Sequence, residues 1–147
     1  MTYQALNAVD LQSLNQSKIL FAATLTSILL WGFYPMTQIY QHNEDARRGD
    51  MTMSRLLGIK GTFIFTAIIF IFSNAGYFYF FNTYFSLIYF YIFTFCLAPS
   101  LLFFLWWFFK VNKNIGLADF DHTMKLNMIS SLGTNAFFIV FGILNHG

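Results

Sequence analysis

Acidic side chains crowd into one short stretch of this chain, residues 39–55, with the sequence IYQHNEDARRGDMTMSR. Three of the chain's six acidic residues lie there, namely Glu44, Asp45 and Asp50. Carboxylates are hard oxygen ligands of the type that Mg²⁺ prefers, and Mg²⁺ usually keeps positions for water or for substrate phosphate. We therefore interpret Glu44, Asp45 and Asp50 as candidate magnesium ligands.

Cations accompany these carboxylates. Arg47 and Arg48 lie in the same stretch, and Lys60 follows it closely. Guanidinium and ammonium groups bind phosphate oxygens through charge-assisted hydrogen bonds. The combination predicts a metal-bridged phosphate or diphosphate site in which Arg47, Arg48 and Lys60 contact the phosphate. The alternative interpretation is a solvated loop whose charges neutralise one another. Most exposed charge clusters are of this kind, and their ion pairs contribute little stability.

A stripe of polar side chains leads from the acidic stretch into the preceding apolar segment. Its members are spaced by four, three and four residues, so they share one face if an α-helix continues through this region. They are Tyr34, Gln38, Gln41 and Asp45. We expect the first three to contact substrate. Alternatively, the two glutamines form hydrogen bonds to neighbouring helices.

Four apolar segments must position these residues, and they cover approximately residues 19–40, 62–81, 84–109 and 126–144. Each is near the ~20 residues that a transmembrane helix requires. The chain is 57% hydrophobic and only 10% charged, whereas soluble domains carry about 25% charged residues. The sequence thus predicts an all-α integral membrane bundle of about four transmembrane helices, in a single membrane domain over residues 1–147.

The composition argues against several other classes of protein. The net charge of +2 comes without any DNA- or RNA-binding signature, so we expect no nucleic-acid partner. Cys96 is the only cysteine, which leaves neither a disulfide nor a thiolate metal cluster. Residues 1–18 lack the basic-then-apolar order of a cleaved signal peptide, so we expect the first span to be retained. No charge lies at mid-membrane depth, which argues against a transporter.

Loop charge predicts the orientation of the bundle. Basic residues concentrate in residues 42–60 and 110–125, whereas the expected turn at Asn82 and Thr83 carries none. By the positive-inside rule both charged loops face the cytoplasm, and both termini lie on the opposite side of the inner or plasma membrane. The two charged loops therefore come together at one end of the bundle.

The segment YPMTQIYQHNEDARRGDMTMSRLLGIKGTF, residues 34–63, resembles the second aspartate-rich motif of the UbiA superfamily of intramembrane prenyltransferases. In that family an acidic stretch ending in Gly-Asp is followed by a threonine and a short apolar step to glycine. The residues that match this order are Gly49, Asp50, Thr52, Leu56, Leu57 and Gly58. Residues 119–138, DFDHTMKLNMISSLGTNAFF, are similar to the family's last loop and last helix.

This resemblance covers most of the chain but only the C-terminal half of a usual family member, its sixth to ninth helices. The family's motif has two aspartates four residues apart, whereas Asp45 and Asp50 are five apart, and Asn43 or Glu44 is a candidate for the missing ligand. We find no counterpart of the family's first motif, which contains Asn-Asp and binds a facing Mg²⁺. The resemblance therefore implies half of a larger domain, inactive until an N-terminal half protein completes it.

The chemistry implied by the resemblance is a magnesium-dependent transfer. In UbiA-like enzymes, Mg²⁺ holds an allylic isoprenyl diphosphate, the diphosphate leaves, and a lipid-soluble acceptor captures the carbocation. The implied partners are an isoprenyl diphosphate, an unidentified acceptor and the lipid bilayer. In the second charged loop, Asp119 and Asp121 either close over the diphosphate or form a solvated turn.

Two other functions stay open. A non-enzymatic or truncated membrane protein would use its charged loop only to set its orientation. The sequence Asp45-Ala46-Arg47 is also similar to part of the motif of CDP-alcohol phosphotransferases, but the remainder of that motif is missing.

Overall fold

The computed structural model of this protein describes residues 16–146, which are almost entirely helical. Helix α1, Gln16–Phe33, runs into a 3₁₀ segment, Tyr34–Gln41, and then into the short helix α2, His42–Arg48. Three long helices follow, namely α3 (Met53–Tyr84), α4 (Leu87–Lys113) and α5 (Phe120–His146), with a 3₁₀ turn at Ile115–Leu117 before the last. The expectations about residues 1–15 lie outside the described residues.

Four of the described segments are long and apolar enough to cross a membrane, which confirms the predicted all-α membrane bundle. They are Lys18–Arg48, Met53–Tyr84, Leu87–Lys113 and Phe120–Leu144. Each contains most of one apolar segment predicted from the sequence and extends it toward the charged loops. The helices are longer than the apolar segments because polar residues at their ends remain helical.

The reversal between α3 and α4 lies slightly later in the chain than predicted. Asn82 and Thr83 belong to the last turn of α3, and the chain reverses at Phe85 and Ser86. The Ser86 hydroxyl accepts a hydrogen bond from the Ile88 N–H at 3.5 Å, as a helix N-cap does. The position of this cap decides where α4 begins.

The long helices pack in sequence order, α1 on α3, α3 on α4 and α4 on α5, while the 3₁₀ segment contacts both α3 and α5. Two clusters of buried apolar residues hold them together. The loop-end cluster contains Met36, Ile39, Phe63, Phe104, Trp107, Val111 and Leu126. The far-end cluster contains Leu25, Phe80, Phe81, Phe93, Leu97 and Phe137. The loop-end cluster forms the floor beneath the charged stretch.

One glycine sets the distance between the last two helices. A Cβ added at Gly133 of α5 would lie 2.4 Å from the backbone oxygen of Cys96 in α4. Small residues allow membrane helices to approach this closely, and the packing enthalpy of close backbones stabilises their association. The α4–α5 interface is accordingly the most extensive between the long helices.

Helix α3 is interrupted near its start. Gly58 has φ +69° and ψ 168°, a conformation that a residue with a Cβ rarely adopts. The helix resumes after it, and the Thr62 hydroxyl donates a hydrogen bond to the Gly58 carbonyl at 2.8 Å. This break separates the first turn of α3, which belongs to the charged end, from its membrane-spanning part.

Candidate functional site

The connection between α2 and α3 is a compact, hydrogen-bonded turn. Gly49, with φ +78°, ends α2, and the Asp50 N–H donates to the Asp45 carbonyl at 2.9 Å. The Arg55 guanidinium donates to the backbone carbonyls of both Asp45, at 3.1 Å, and Asp50. These bonds hold the two aspartates near one another. The clamping role of Arg55 was not predicted, because its partners are backbone atoms and leave no trace in the pattern of residue types.

Asp45 is the predicted magnesium ligand that the fold buries. The residue is only 7% exposed, and its carboxylate Oδ2 accepts a hydrogen bond from the Thr52 hydroxyl at 3.1 Å. Thr52 is also the N-cap of α3, since its hydroxyl accepts from the Arg55 N–H at 3.4 Å. Thr52 therefore connects the buried carboxylate to the start of the next helix.

The other two predicted ligands are exposed. The Glu44 side chain is 60% exposed and forms an ion pair with Arg48 on the next helical turn, an arrangement that stabilises helices weakly. Asp50 is exposed beside Gly49. Over residues 16–146, no three His, Cys, Asp or Glu side chains lie close enough to form a metal-binding group. One or two carboxylates suffice for Mg²⁺ when water and phosphate complete its shell, so the magnesium site stays a prediction centred on Asp45 and Asp50.

The predicted phosphate-binding cations are exposed at the same end of the bundle. Arg48 contacts Glu44, whereas Arg47 and Lys60 form no ion pair with any residue that the structure describes. Lys60 lies two residues after the interruption of α3 at Gly58. Two of the three predicted cations are thus available to an anionic ligand.

The predicted polar stripe is only partly formed, because Tyr34–Gln41 is a 3₁₀ helix and not the α-helix on which the prediction depended. Residues three apart overlap in a 3₁₀ helix, so Gln38 and Gln41 align while Tyr34 points elsewhere and is 56% exposed. The Gln41 amide donates to the Tyr40 hydroxyl at 2.9 Å. The Gln38 Oε1 is buried without a hydrogen-bond partner in the described part of the chain.

A chain of polar contacts links α2 to α3 in a way that sequence analysis missed. His42 Nε2 lies 2.7 Å from Ser54 Oγ, which lies 3.1 Å from Thr62 Oγ1. Ser54 and Thr62 are both 0% exposed. The three residues follow no helical period, because the turn and the Gly58 break intervene between them. This chain of contacts fixes the charged turn to the membrane-spanning part of α3.

The second charged loop reaches the same end of the bundle. The ring of Phe120, at the start of α5, packs edge-on against Tyr40 with centroids 5.1 Å apart. Asp121 is exposed, whereas Asp119 is bound to His122. The second charged loop therefore packs beside Tyr40, just ahead of the first charged loop.

Asp119 caps α5 and orients a histidine. Its Oδ1 accepts from the His122 N–H at 2.9 Å and lies 2.7 Å from the His122 ring Nδ1. That ring stacks on Trp107, with an angle of 13° between the ring planes. Burial alone would raise the pKa of Asp119, but the hydrogen bonds from His122 and the charges of His122 and Lys125 outweigh it, so this pKa lies below its ordinary value.

Replacing Asp119 by alanine should lower the free energy of unfolding by about 1 kcal/mol at neutral pH, because a helix N-cap is lost. The folded-state pKa of Asp119 lies below the unfolded value of 3.8. The stabilisation that depends on the charge of Asp119 is therefore present above about pH 4 and disappears as the pH falls through the folded-state pKa. Denaturant titrations in detergent at pH 7 and pH 3 measure this. Asp119→Asn, which keeps the cap and removes the charge, should lose less than Asp119→Ala; equal losses would contradict the prediction.

A cavity of about 420 Å³ lies between the four long helices. It adjoins the loop-end cluster, with which it shares Phe104 and Leu126. Its walls are mostly apolar, and its hydroxyl and amide side chains come chiefly from α5. Tyr34, Gln38 and Gln41 do not line it, so the structure does not join the predicted substrate contacts to this cavity.

Together, these features define a membrane-embedded helical protein with a charged site at one end and an apolar cavity between its helices. Comparisons with protein-family models, with curated proteins and with solved structures find no match for this chain. The resemblance to the UbiA superfamily thus depends on the sequence motifs alone.

Proposed function

We propose that this chain takes part in the magnesium-dependent transfer of an isoprenyl group from an allylic diphosphate to a lipid-soluble acceptor, together with a protein that supplies an N-terminal half. The observation that carries the proposal is the buried carboxylate of Asp45. Among the described residues, Thr52 is the only side chain that donates a hydrogen bond to it. Burying a carboxylate is costly unless it is paired or coordinates a metal. A bound cation would add to the compensation that the Thr52 hydroxyl provides.

Asp45 and Asp50 would hold Mg²⁺, whereas Glu44, exposed and paired with Arg48, would stay outside its coordination shell. When bound, Mg²⁺ would stabilise the negative charge that develops on the leaving diphosphate. Arg47 and Lys60 would contact the diphosphate oxygens directly, and Arg48 would join them on leaving Glu44. In this proposal both charged loops face the cytoplasm, where the diphosphate is available.

The apolar surroundings of the site support the other half of the substrate. An isoprenyl chain is insoluble in water and needs an apolar environment close to its charged headgroup. The loop-end cluster beneath the charged stretch, which includes Met36 and Ile39, provides such apolar surroundings next to the proposed headgroup site.

Calorimetry on the 147-residue chain in lipid nanodiscs, titrated with geranyl diphosphate, tests this proposal. We expect heat of binding in the presence of Mg²⁺ and none when EDTA removes it. Inorganic pyrophosphate should bind more weakly, because it lacks the apolar chain. Absence of Mg²⁺-dependent binding, both alone and with any N-terminal half protein co-expressed, would refute the proposal.

A non-enzymatic membrane protein is the second candidate, and one observation favours it. Within the described chain the acidic residues of the turn form no three-residue metal group, and Thr52 and Arg55 already bind Asp45. In that case the loop charges would serve orientation only. Neutralising Arg47, Arg48 and Lys60 would then change the membrane orientation, as cysteine accessibility measures, while Asp45→Asn would change nothing.

A further inference from the structure

We infer that the cavity between the four long helices binds an uncharged, lipid-soluble molecule that bears a hydroxyl or carbonyl group. In the proposed reaction this molecule would be the acceptor, so the inference deepens the proposed function and rests on it for that role. Binding itself requires neither Mg²⁺ nor a diphosphate. Three properties of the cavity support this ligand: the charge of its walls, the position of its polar side chains and its access from the membrane.

The side chains that line the cavity restrict the charge of its ligand. No Asp, Glu, Lys, Arg or His belongs to the residues that line this cavity in the described structure. A charged group placed there would lose its hydration without gaining a counter-ion. The free-energy cost of burying it would be several times that of burying a neutral group. The cavity therefore excludes carboxylates and amines and selects uncharged molecules.

The distribution of polar side chains defines the ligand further. Ser100 of α4 lines the cavity and is only 6% exposed, yet its hydroxyl has no hydrogen-bond partner within residues 16–146. On the neighbouring wall, α5 contributes Ser130, Ser131, Thr134 and Asn135. A buried hydroxyl without a partner is costly, because it has lost its hydrogen bonds to water. A ligand with an oxygen near Ser100 would restore such a bond, whereas a hydrocarbon would not.

The open side of the cavity faces the lipid. Leu30 of α1 is 65% exposed and Ile71 of α3 is 68% exposed, and both line the cavity. Asn135 on α5 is also exposed at its edge. Since these segments are long and apolar enough to cross a membrane, the opening lies within the bilayer. A ligand that dissolves in the membrane can therefore enter sideways without crossing the charged loops.

Photolabelling in nanodiscs tests the inference with three diazirine probes of equal length: a long-chain alcohol, the matching alkane and the matching carboxylate. Mg²⁺ and diphosphates are left out. We expect the alcohol alone to label the cavity segments of α4 and α5, and excess unlabelled alcohol to abolish that labelling. Equal labelling by the alkane or the carboxylate, or no saturable labelling, would overturn the inference; the last result is also expected if a partner helix fills the cavity.

Ser100→Ala should weaken binding of the alcohol about fivefold, the effect of losing one neutral hydrogen bond. Ser73→Ala is the matched control, because Ser73 is likewise buried, at 2% exposed, with an unpartnered hydroxyl, but does not line this cavity. A second variant, Asn135→Leu at an exposed position, should also weaken binding of the alcohol relative to binding of the alkane. Equal effects of Ser100→Ala and Ser73→Ala would contradict the inference.

The two proposals fail separately. If the alcohol binds as described but calorimetry detects no Mg²⁺-dependent binding of diphosphate, the proposed reaction is wrong and the inference about the cavity stands. If diphosphate binds but the alcohol probe does not, the proposed reaction stands and the assignment of this cavity is wrong.

Discussion

Replacing Gly133 by alanine should lower the free energy of unfolding by about 1–3 kcal/mol, the usual cost of overpacking a well-packed interior. The new Cβ would lie 2.4 Å from the Cys96 oxygen and 3.3 Å from its carbonyl carbon. Both are backbone atoms, which cannot rotate out of the way as a side chain can. The α4 and α5 helices must therefore separate, and their contacts weaken. Unfolding by SDS in mixed micelles, followed by circular dichroism, measures the loss.

The same helix offers a matched control. A Cβ added at Gly142 of α5 would meet nothing within 4 Å. Gly142→Ala should therefore be neutral or stabilise the helix by up to about 1 kcal/mol, because alanine has the higher helix propensity. If Gly142→Ala destabilised the protein as much as Gly133→Ala, helix propensity rather than interhelical distance would explain both results, and our interpretation of the α4–α5 contact would be wrong.

Asp45→Asn should reduce the affinity for Mg²⁺-geranyl diphosphate by at least about 100-fold. Even groups that only orient a metal ligand cost 10–100-fold when they are replaced, and Asp45 would be a ligand itself. The fold should tolerate the change, because an asparagine oxygen can still accept a hydrogen bond from the Thr52 hydroxyl. Arg55 and the Asp50 N–H donate to the backbone carbonyl of residue 45, which the substitution leaves in place. The calorimetric titration proposed above measures the affinity directly.

Glu44→Gln is the control for this prediction. Glu44 is adjacent to Asp45 in sequence and carries the same charge, but its side chain is 60% exposed and pairs with Arg48. We expect its replacement to change the affinity by about threefold or less, as is usual for exposed charges. Equal losses in the two variants would show that the net charge of the loop, rather than coordination by Asp45, attracts the diphosphate.

The helices could be predicted from the sequence because membrane insertion depends on local composition. A run of about twenty apolar residues must satisfy its backbone hydrogen bonds internally once it is in lipid, and a helix does this whatever its neighbours are. The exact ends were less predictable. Asn82 and Thr83 look like a turn by residue type, yet they stay helical, because the Ser86 cap places the reversal later.

The candidate site could be predicted only in outline. Residue types identified Glu44, Asp45 and Asp50 together, but they did not distinguish the buried carboxylate from the exposed ones. The predicted polar stripe forms only in part, because that prediction requires an α-helical period. A 3₁₀ segment with Pro35 near its start changes which side chains align.

The sequence by itself determined that this chain is an all-α membrane protein and where its four spans lie. It also determined that acidic and basic residues lie together directly after the first span. These properties are sums over neighbouring residues, so they can be read along the chain. Only the tertiary structure decided that Asp45 is buried, that His42 reaches Ser54, and that Ser100 faces a cavity without a partner. Burial and hydrogen-bond pairing depend on residues far apart in the chain, and helix packing alone brings those residues together.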